Sequence, residues 1–170
     1  PYEGGRAKFI YRGWLSINQA TALVPEPLRS SLPAARIDPV IASPIEHLIW
    51  PAKLSDAPIP SFIVPIKPQF AEHLFDYRLA AGGVFGTDVD LALNHESAYY
   101  RAGKSAIVAS PGRVLWYVSD GDKYDGTKTI RACSRIVEVV RDIPKVLFPR
   151  FRLLGVYEWR HVRDTAGGDL

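Results

Sequence analysis

The chain has 170 residues, of which 47% are hydrophobic, and this is enough for one domain with a sizeable core. The sequence contains no run of 18 apolar residues and no apolar segment of a signal peptide near its start, so we expect neither a membrane span nor secretion. A single cysteine, Cys133, excludes an internal disulfide and a cysteine-based zinc cluster, which favours a cytoplasmic location.

The net charge of +3 is unevenly distributed along the chain. Residues 1–100 carry 8 basic and 10 acidic side chains, whereas residues 101–170 carry 13 basic and 8 acidic ones. This bias favours an anionic partner such as nucleic acid, although a solvated surface produces the same pattern. The four histidines are scattered without the spacing of metal ligands, so we expect no metal site and no cofactor.

Residues 1–58 predict an irregular N-terminal extension or the remnant of an upstream domain. An apolar extended segment comes first, and then Ser16 and Gln19 form the pattern of a capping box that begins a helix. Prolines divide the next residues into short turns or helices, and Ser43 is the predicted cap of a further helix. Residues 51–60 are rich in Pro, Ser and Asp and predict a linker, with a domain boundary near residue 58.

Residues 59–164 predict a β-rich domain. A buried strand, "SFIVPI", is followed by a helix over residues 68–76, and "GRVLWYVS" has the strongest strand pattern in the chain. Residues 127–141 predict one long strand whose alternation slips after Ile136, which indicates a β-bulge. A helix over residues 144–154 and a closing strand, "VYEWRHV", complete the domain, and residues 165–170 form a tail. These elements predict an α+β fold built on a small, mostly antiparallel β-barrel with flanking helices.

Three motifs, "IKPQFAEHLF", "GRVLWYVS" and "TIRACSRIVEVV", resemble the ASCH family of the PUA-like fold over about residues 61–163. The resemblance implies a PUA-like barrel that binds nucleic acid, RNA in preference to DNA, or a nucleotide with a modified base. The sequence departs from the family between residues 79 and 103, where a Gly-rich and then acidic stretch replaces the usual hairpin. There "ESAYYR" provides Arg101 as the counterpart of the family's arginine.

Lys67 stands where the strand passes into the helix, and local stability does not explain it. A lysine cannot accept hydrogen bonds from the free N–H groups of a helix start, and its charge opposes the helix dipole. A helix N-terminus beside a lysine suits a phosphate. We therefore expect Lys67 and Gln69 to hold a phosphate in a cleft between the barrel and its first helix, with a solvated lysine as the alternative.

Aromatic and basic side chains later in the chain are expected to complete the site. Tyr100 and Trp116 are candidates to stack on a base, and Arg101 and Arg131 are candidates for phosphate contacts. Ser119 ends the strand that holds Trp116 and is the remaining ligand-binding candidate. A buried core position for Trp116 and a solvated position for Arg131 stay open.

Two further functions stay open. A hydrolase acting on a modified nucleoside needs a lysine and a carboxylate within hydrogen-bond reach, and Lys67 with Glu96 is the one pair that the sequence nominates. An acidic loop with Asp88, Asp90 and His95 offers further acid–base groups. The chain begins at Pro1 and contains no Met, so it is alternatively a regulatory part of a larger bacterial enzyme with an upstream domain.

Overall fold

The computed structural model describes residues 13–75, 96–102, 107–121, 124, 127–155 and 157–167. The chain divides into two compact units, the first consisting of Pro1–Phe62, Ala109–Val114 and Arg135–Glu138, and the second of Ile63–Val108, Leu115–Ser134 and Val139–Leu170. The predicted acidic loop with Asp88, Asp90 and His95 lies outside the described residues.

Short helices and a two-stranded sheet make up most of the described part of the first unit. In chain order these are β1 (Trp14–Leu15), α1 (Ile17–Ala20), α2 (Glu26–Arg29), α3 (Leu32–Ala35), α4 (Pro39–Leu48) and β2 (Lys53–Leu54). β1 and β2 are parallel, with Trp14 opposite Lys53. The predicted capping box at the start of α1 is confirmed, since the side chains of Ser16 and Gln19 each accept from the other's backbone N–H.

The prediction of an irregular extension is wrong, because this segment has a hydrophobic core. The predicted linker belongs to that core, since Ala52, Leu54 and Ile59 are buried in it. Asp56, also from the predicted linker, accepts from the backbone N–H of Ile17 at 2.7 Å. The remaining core residues come from the helices and the turns that join them: Ile17, Ala20, Val24, Leu32, Ala35, Ala42, Ile45 and Ile49.

α4 begins earlier than the sequence pattern predicted. Asp38 is its N-cap and accepts from the backbone N–H of Val40 at 2.8 Å, while Ser43 is buried within the helix. Pro39 occupies the first turn, where a missing N–H costs nothing. A cap residue followed by proline occurs twice in this segment, as Asp38–Pro39 and as Ser43–Pro44, and the earlier pair begins the helix.

The second sheet has three strands, β3 (Ser61–Ile66), β4 (Gly112–Val118) and β5 (Thr129–Ile136), in the order β3-β4-β5. β3 and β4 are parallel, because the backbone N–H groups of Arg113 and Ser119 donate to the carbonyls of Pro60 and Ile66 respectively. β4 and β5 run in opposite directions. The backbone N–H of Lys128, just before β5, donates to the carbonyl of Val118 at the end of β4, and the hydroxyl of Ser110, just before β4, donates to the carbonyl of Val137 just after β5.

The predicted antiparallel barrel is therefore wrong. The described residues form one sheet of two strands and one of three, with parallel pairs in both, and neither sheet closes on itself. The α+β class holds. Alternation of apolar residues has the same period of two in parallel and antiparallel strands, so the pattern identified strands without giving their direction.

The predicted bulge in the long strand is also wrong. β5 ends at Ile136, where the alternation slips, and residues 137–143 are irregular. Val137 and Val139, the apolar residues that follow the slip in alternation, are 60% and 39% exposed. The change of parity thus marks the end of the strand.

The described part of the second unit contains three helices: α5 (Pro68–Leu74), α6 (Pro144–Phe151) and α7 (Trp159–Thr165). A 3-10 turn (Arg152–Leu154) extends α6, so the helices predicted over residues 68–76 and 144–154 are confirmed. The predicted closing strand is wrong, because α7 takes up most of it. Glu158 and His161 make a reciprocal capping box there, which a strand pattern does not reveal.

Candidate functional site

A hydrogen bond in the second unit joins two distant segments that contain predicted site residues. The hydroxyl of Tyr99 donates to the carbonyl of Pro65, in β3, at 2.8 Å. Lys67 follows Pro65 by two residues, and Arg101 follows Tyr99 by two residues. Both cations are exposed, and neither makes an ion pair within the described parts of the chain. The hydrogen bond therefore links the backbone segments that carry Lys67 and Arg101.

Ser119 belongs to the same neighbourhood. Its backbone N–H and its hydroxyl both donate to the carbonyl of Ile66, at 2.9 and 3.2 Å. Ile66 and Ser119 stand at the carboxyl ends of β3 and β4, which are parallel. Ligands of α/β proteins commonly bind outside the carboxyl ends of parallel strands, because the loops that follow the strands converge there.

Lys67 forms the N-cap of α5, and its side chain makes no capping hydrogen bond. The backbone N–H groups of Phe70 and Ala71 donate to its carbonyl, and Pro68 has no N–H to offer. Few amides of this short helix are thus left for an anion. The ammonium group of Lys67, rather than the helix start, is the feature that suits a phosphate.

A turn next to Lys67 brings together opposite charges. Lys128 Nζ lies 2.7 Å from Asp120 Oδ2 on the surface. The hydrogen bond from Lys128 holds the pKa of Asp120 below its ordinary value. Gly121, beside this pair, lies so close to Pro68 that a Cβ on the glycine would be 2.9 Å from Pro68 Cγ. The charge of Asp120 is thus largely offset by Lys128 before any ligand binds.

Trp116 is a core residue. It is 8% exposed, and its Nε1–H donates to Ser134 Oγ at 2.8 Å. The ring of Phe75 is stacked on it at 5.7 Å, and Tyr99 meets it edge-on at 5.0 Å. Trp116 therefore holds Tyr99 in place, and because Phe75 and Tyr99 already contact its ring, the ring is not free to stack on a base as the sequence predicted.

Tyr100 and Tyr157 form the other side of this aromatic cluster. Their ring centroids are 5.5 Å apart in an edge-to-face arrangement, and Phe70 lies 4.6 Å from Tyr157. Burial raises the pKa of Tyr100 and Tyr157, so both phenols stay neutral at physiological pH. The sequence reasoning missed Tyr157, because "VYEWRHV" was interpreted as a strand and nothing local links it to Tyr100.

The remaining predicted site residues have no contact that links them to Lys67 or Arg101 within the described residues. Arg131 is exposed on β5, and β4 separates it from β3, which precedes Lys67. Gln69 is exposed on α5. Glu96 is exposed as well, and no ion pair joins it to Lys67 within the described ranges. The lysine–carboxylate pair nominated for hydrolysis thus has no contact that would make it an acid–base unit.

A buried lysine–carboxylate pair does occur, but in the first unit. Lys53 Nζ lies 3.8 Å from Glu46 Oε1, and Arg113 donates to both oxygens of the same carboxylate. The backbone N–H of Leu54 also donates to Glu46, at 2.8 Å. Because both oxygens are already engaged, we interpret this cluster as a structural tie. The sequence feature that could have revealed this cluster is a carboxylate, Glu46, on the apolar face of α4 next to Ile45.

No group of three potential metal ligands occurs in the parts of the chain that the structure describes. None of the helices among those residues is long and apolar enough to cross a membrane. Comparisons with protein-family models, with curated proteins and with solved structures find no match for this chain. The case for a function therefore depends on the geometry of the second unit.

Proposed function

We propose that the second unit binds single-stranded nucleic acid, or a nucleotide, on a surface made by Lys67, Tyr100, Arg101 and Ser119, which we call the Lys67–Arg101 surface. The observation that supports it most directly is the Tyr99–Pro65 hydrogen bond, since it joins the two segments that carry these exposed cations. The choice of RNA over DNA rests on the resemblance to the ASCH family, which stays a prediction.

Electrostatics favour a phosphate ligand here. In the second unit, the exposed cations Lys128, Arg160 and Arg163 each pair with a carboxylate. Lys67 and Arg101 have no such partner among the described residues, so their charges are available to an anion. Binding of phosphates by exposed Lys and Arg releases counterions, which stabilises a complex with a polyanion.

The aromatic cluster beside these cations favours a single strand. Bases of a single strand are unstacked and free to contact aromatic side chains, whereas a duplex hides them. Tyr100 is next to Arg101 in the chain and is only partly buried. A strand whose phosphates contact Lys67 and Arg101 therefore has an aromatic side chain close to its bases.

The test is a titration of a labelled single-stranded RNA at several salt concentrations, followed by fluorescence anisotropy. We expect the logarithm of the association constant to fall linearly with the logarithm of salt, by about 0.7 for each phosphate contact. Lys67→Ala and Arg101→Ala should each weaken binding and make this slope shallower by about 0.7. Arg160→Ala is the matched control, because it removes an equal charge that Glu158 already neutralises. Salt-independent binding, or equal loss in the control, would contradict the proposal.

A further inference from the structure

Two buried hydroxyl groups in the second unit have no hydrogen-bond partner in the part of the chain that the structure describes. They belong to Tyr100 and Tyr157, whose rings contact each other. Tyr157 is 8% exposed, so its hydroxyl is shielded from water as well. Buried polar groups in folded proteins are nearly always paired, because an unpaired donor loses its hydrogen bonds to water without replacement. An orphan pair in one cluster therefore needs an explanation.

The segments that carry these two tyrosines lie in close contact. The backbone N–H of Ala98 donates to the carbonyl of Leu154 at 2.7 Å. A Cβ on Gly155 would lie 2.9 Å from the carbonyl oxygen of Ala98, which shows how closely the two segments approach. With the Tyr99–Pro65 bond, these contacts fix the segments that hold Tyr100 and Tyr157.

The surroundings of the two hydroxyls select the kind of acceptor that suits them. Tyr157 is in ring contact with Phe70, Tyr99 and Tyr100, and this is a neutral aromatic environment. A phosphate oxygen would lose much of its hydration there without a cation in contact, which is costly. The carbonyl oxygen of a planar base is neutral and accepts hydrogen bonds, and its ring fits against aromatic side chains.

We propose that the hydroxyls of Tyr100 and Tyr157 donate hydrogen bonds to a base carbonyl of the bound strand. This inference rests on the proposed function and deepens it: Lys67 and Arg101 contact phosphates, and the tyrosine pair contacts a base next to them. Arg101 directly follows Tyr100 in the chain, so we assign the phosphate on Arg101 and the base on Tyr100 to the same stretch of the strand. The tyrosine pair thus favours bases with carbonyl groups over a bare backbone.

The experiment compares two labelled probes of equal length, an oligouridylate and an abasic oligonucleotide with the same sugar–phosphate backbone. The variants are Tyr157→Phe and Tyr100→Phe, which remove one hydroxyl each, and Tyr117→Phe on β4 is the matched control. We expect each of the first two variants to weaken oligouridylate binding about three- to tenfold, the size of one hydrogen bond. Binding of the abasic probe should be unchanged, and the melting temperature of free Tyr157→Phe should not fall.

Several outcomes would overturn the inference while leaving the proposed function intact. One is a wild-type protein that binds both probes equally. Another is a Tyr157→Phe variant that melts lower but binds oligouridylate as the wild type does, which would assign the hydroxyl to a buried water molecule. If neither probe binds, the proposed function fails, and titration of free uridine followed by NMR decides the inference separately. Uridine binding that Tyr157→Phe weakens would support it, and no uridine binding would overturn it.

Discussion

Glu46 and Arg113 form a buried ion pair although 67 positions separate them in the sequence. Arg113 Nε donates to Glu46 Oε1 at 2.9 Å, and a second nitrogen of the guanidinium bonds the other oxygen. Each side chain is only 7% exposed. The same guanidinium donates to the carbonyl of Leu54 at 2.8 Å, so the pair joins α4, β2 and β4 within the first unit.

We expect Glu46→Gln to lower the free energy of unfolding by about 3–5 kcal/mol. Removal of one partner leaves the other charge buried without compensation, and this is the usual cost of a broken buried pair. The matched control is Glu158→Gln, whose partner Arg160 is 65% exposed, and such surface pairs contribute at most about 1 kcal/mol. Urea denaturation of the three proteins measures the difference. Equal effects of the two variants would show that Glu46 is not a structural tie.

Gly112→Ala should destabilise the first unit by about 1–3 kcal/mol, the usual cost of overpacking. A Cβ at this position would lie 2.8 Å from the carbonyl oxygen of Ala109 and 2.9 Å from Phe62 Cε2. A backbone oxygen cannot move without shifting the chain, so the clash is not relieved cheaply. The midpoint of urea denaturation measures the loss, with the exposed Ser55→Ala as control, and a midpoint equal to that of the wild type would contradict the packing described for β4.

Lys67→Ala should leave the melting temperature unchanged or raise it, while it weakens RNA binding by about 1.5–3 kcal/mol, the scale of a charged hydrogen bond. The lysine opposes the dipole of α5, so its loss favours the fold by about 0.3–1 kcal/mol. Lys67→Asp should be more stable still, because aspartate caps a helix, and it should bind worst. Thermal melting and anisotropy titration of the same samples provide both values. A fall of several degrees for Lys67→Ala would instead identify the lysine as structural.

Alkaline pH should destabilise the second unit through its buried tyrosines. Burial raises the pKa of Tyr99 and Tyr157 above the ordinary value of 10.0. Above about pH 10 the unfolded phenols lose their protons while the folded ones keep them, so the stabilisation is fully present below that pH and declines above it. Melting temperatures from about pH 9 to about pH 11 should fall less steeply for Tyr157→Phe than for the wild type. An identical decline in both proteins would contradict the burial of this phenol.

Local signals in the sequence were sufficient where one segment determines its own structure. The capping box of Ser16 and Gln19 satisfies its own N–H groups, and Pro144 and Gly155 delimit α6 and its 3-10 turn without help from the rest of the chain. The strands β3 and β4 were equally visible in their apolar alternation. In contrast, α7 was mistaken for a strand, because its capping box uses Glu158 and His161 rather than the common cap residues.

The sequence by itself determined where most helices and strands form, which residues are apolar enough for a core, and that Lys67 has no local reason to be a lysine. Only the tertiary structure decided that β3 and β4 are parallel, that Trp116 is buried, and that Tyr157 reaches Tyr100. The physical reason is the range of the interactions. Caps and periodicity depend on neighbours within a few residues, whereas strand direction, ring contacts and the Glu46–Arg113 pair depend on how distant segments pack, which no local pattern encodes.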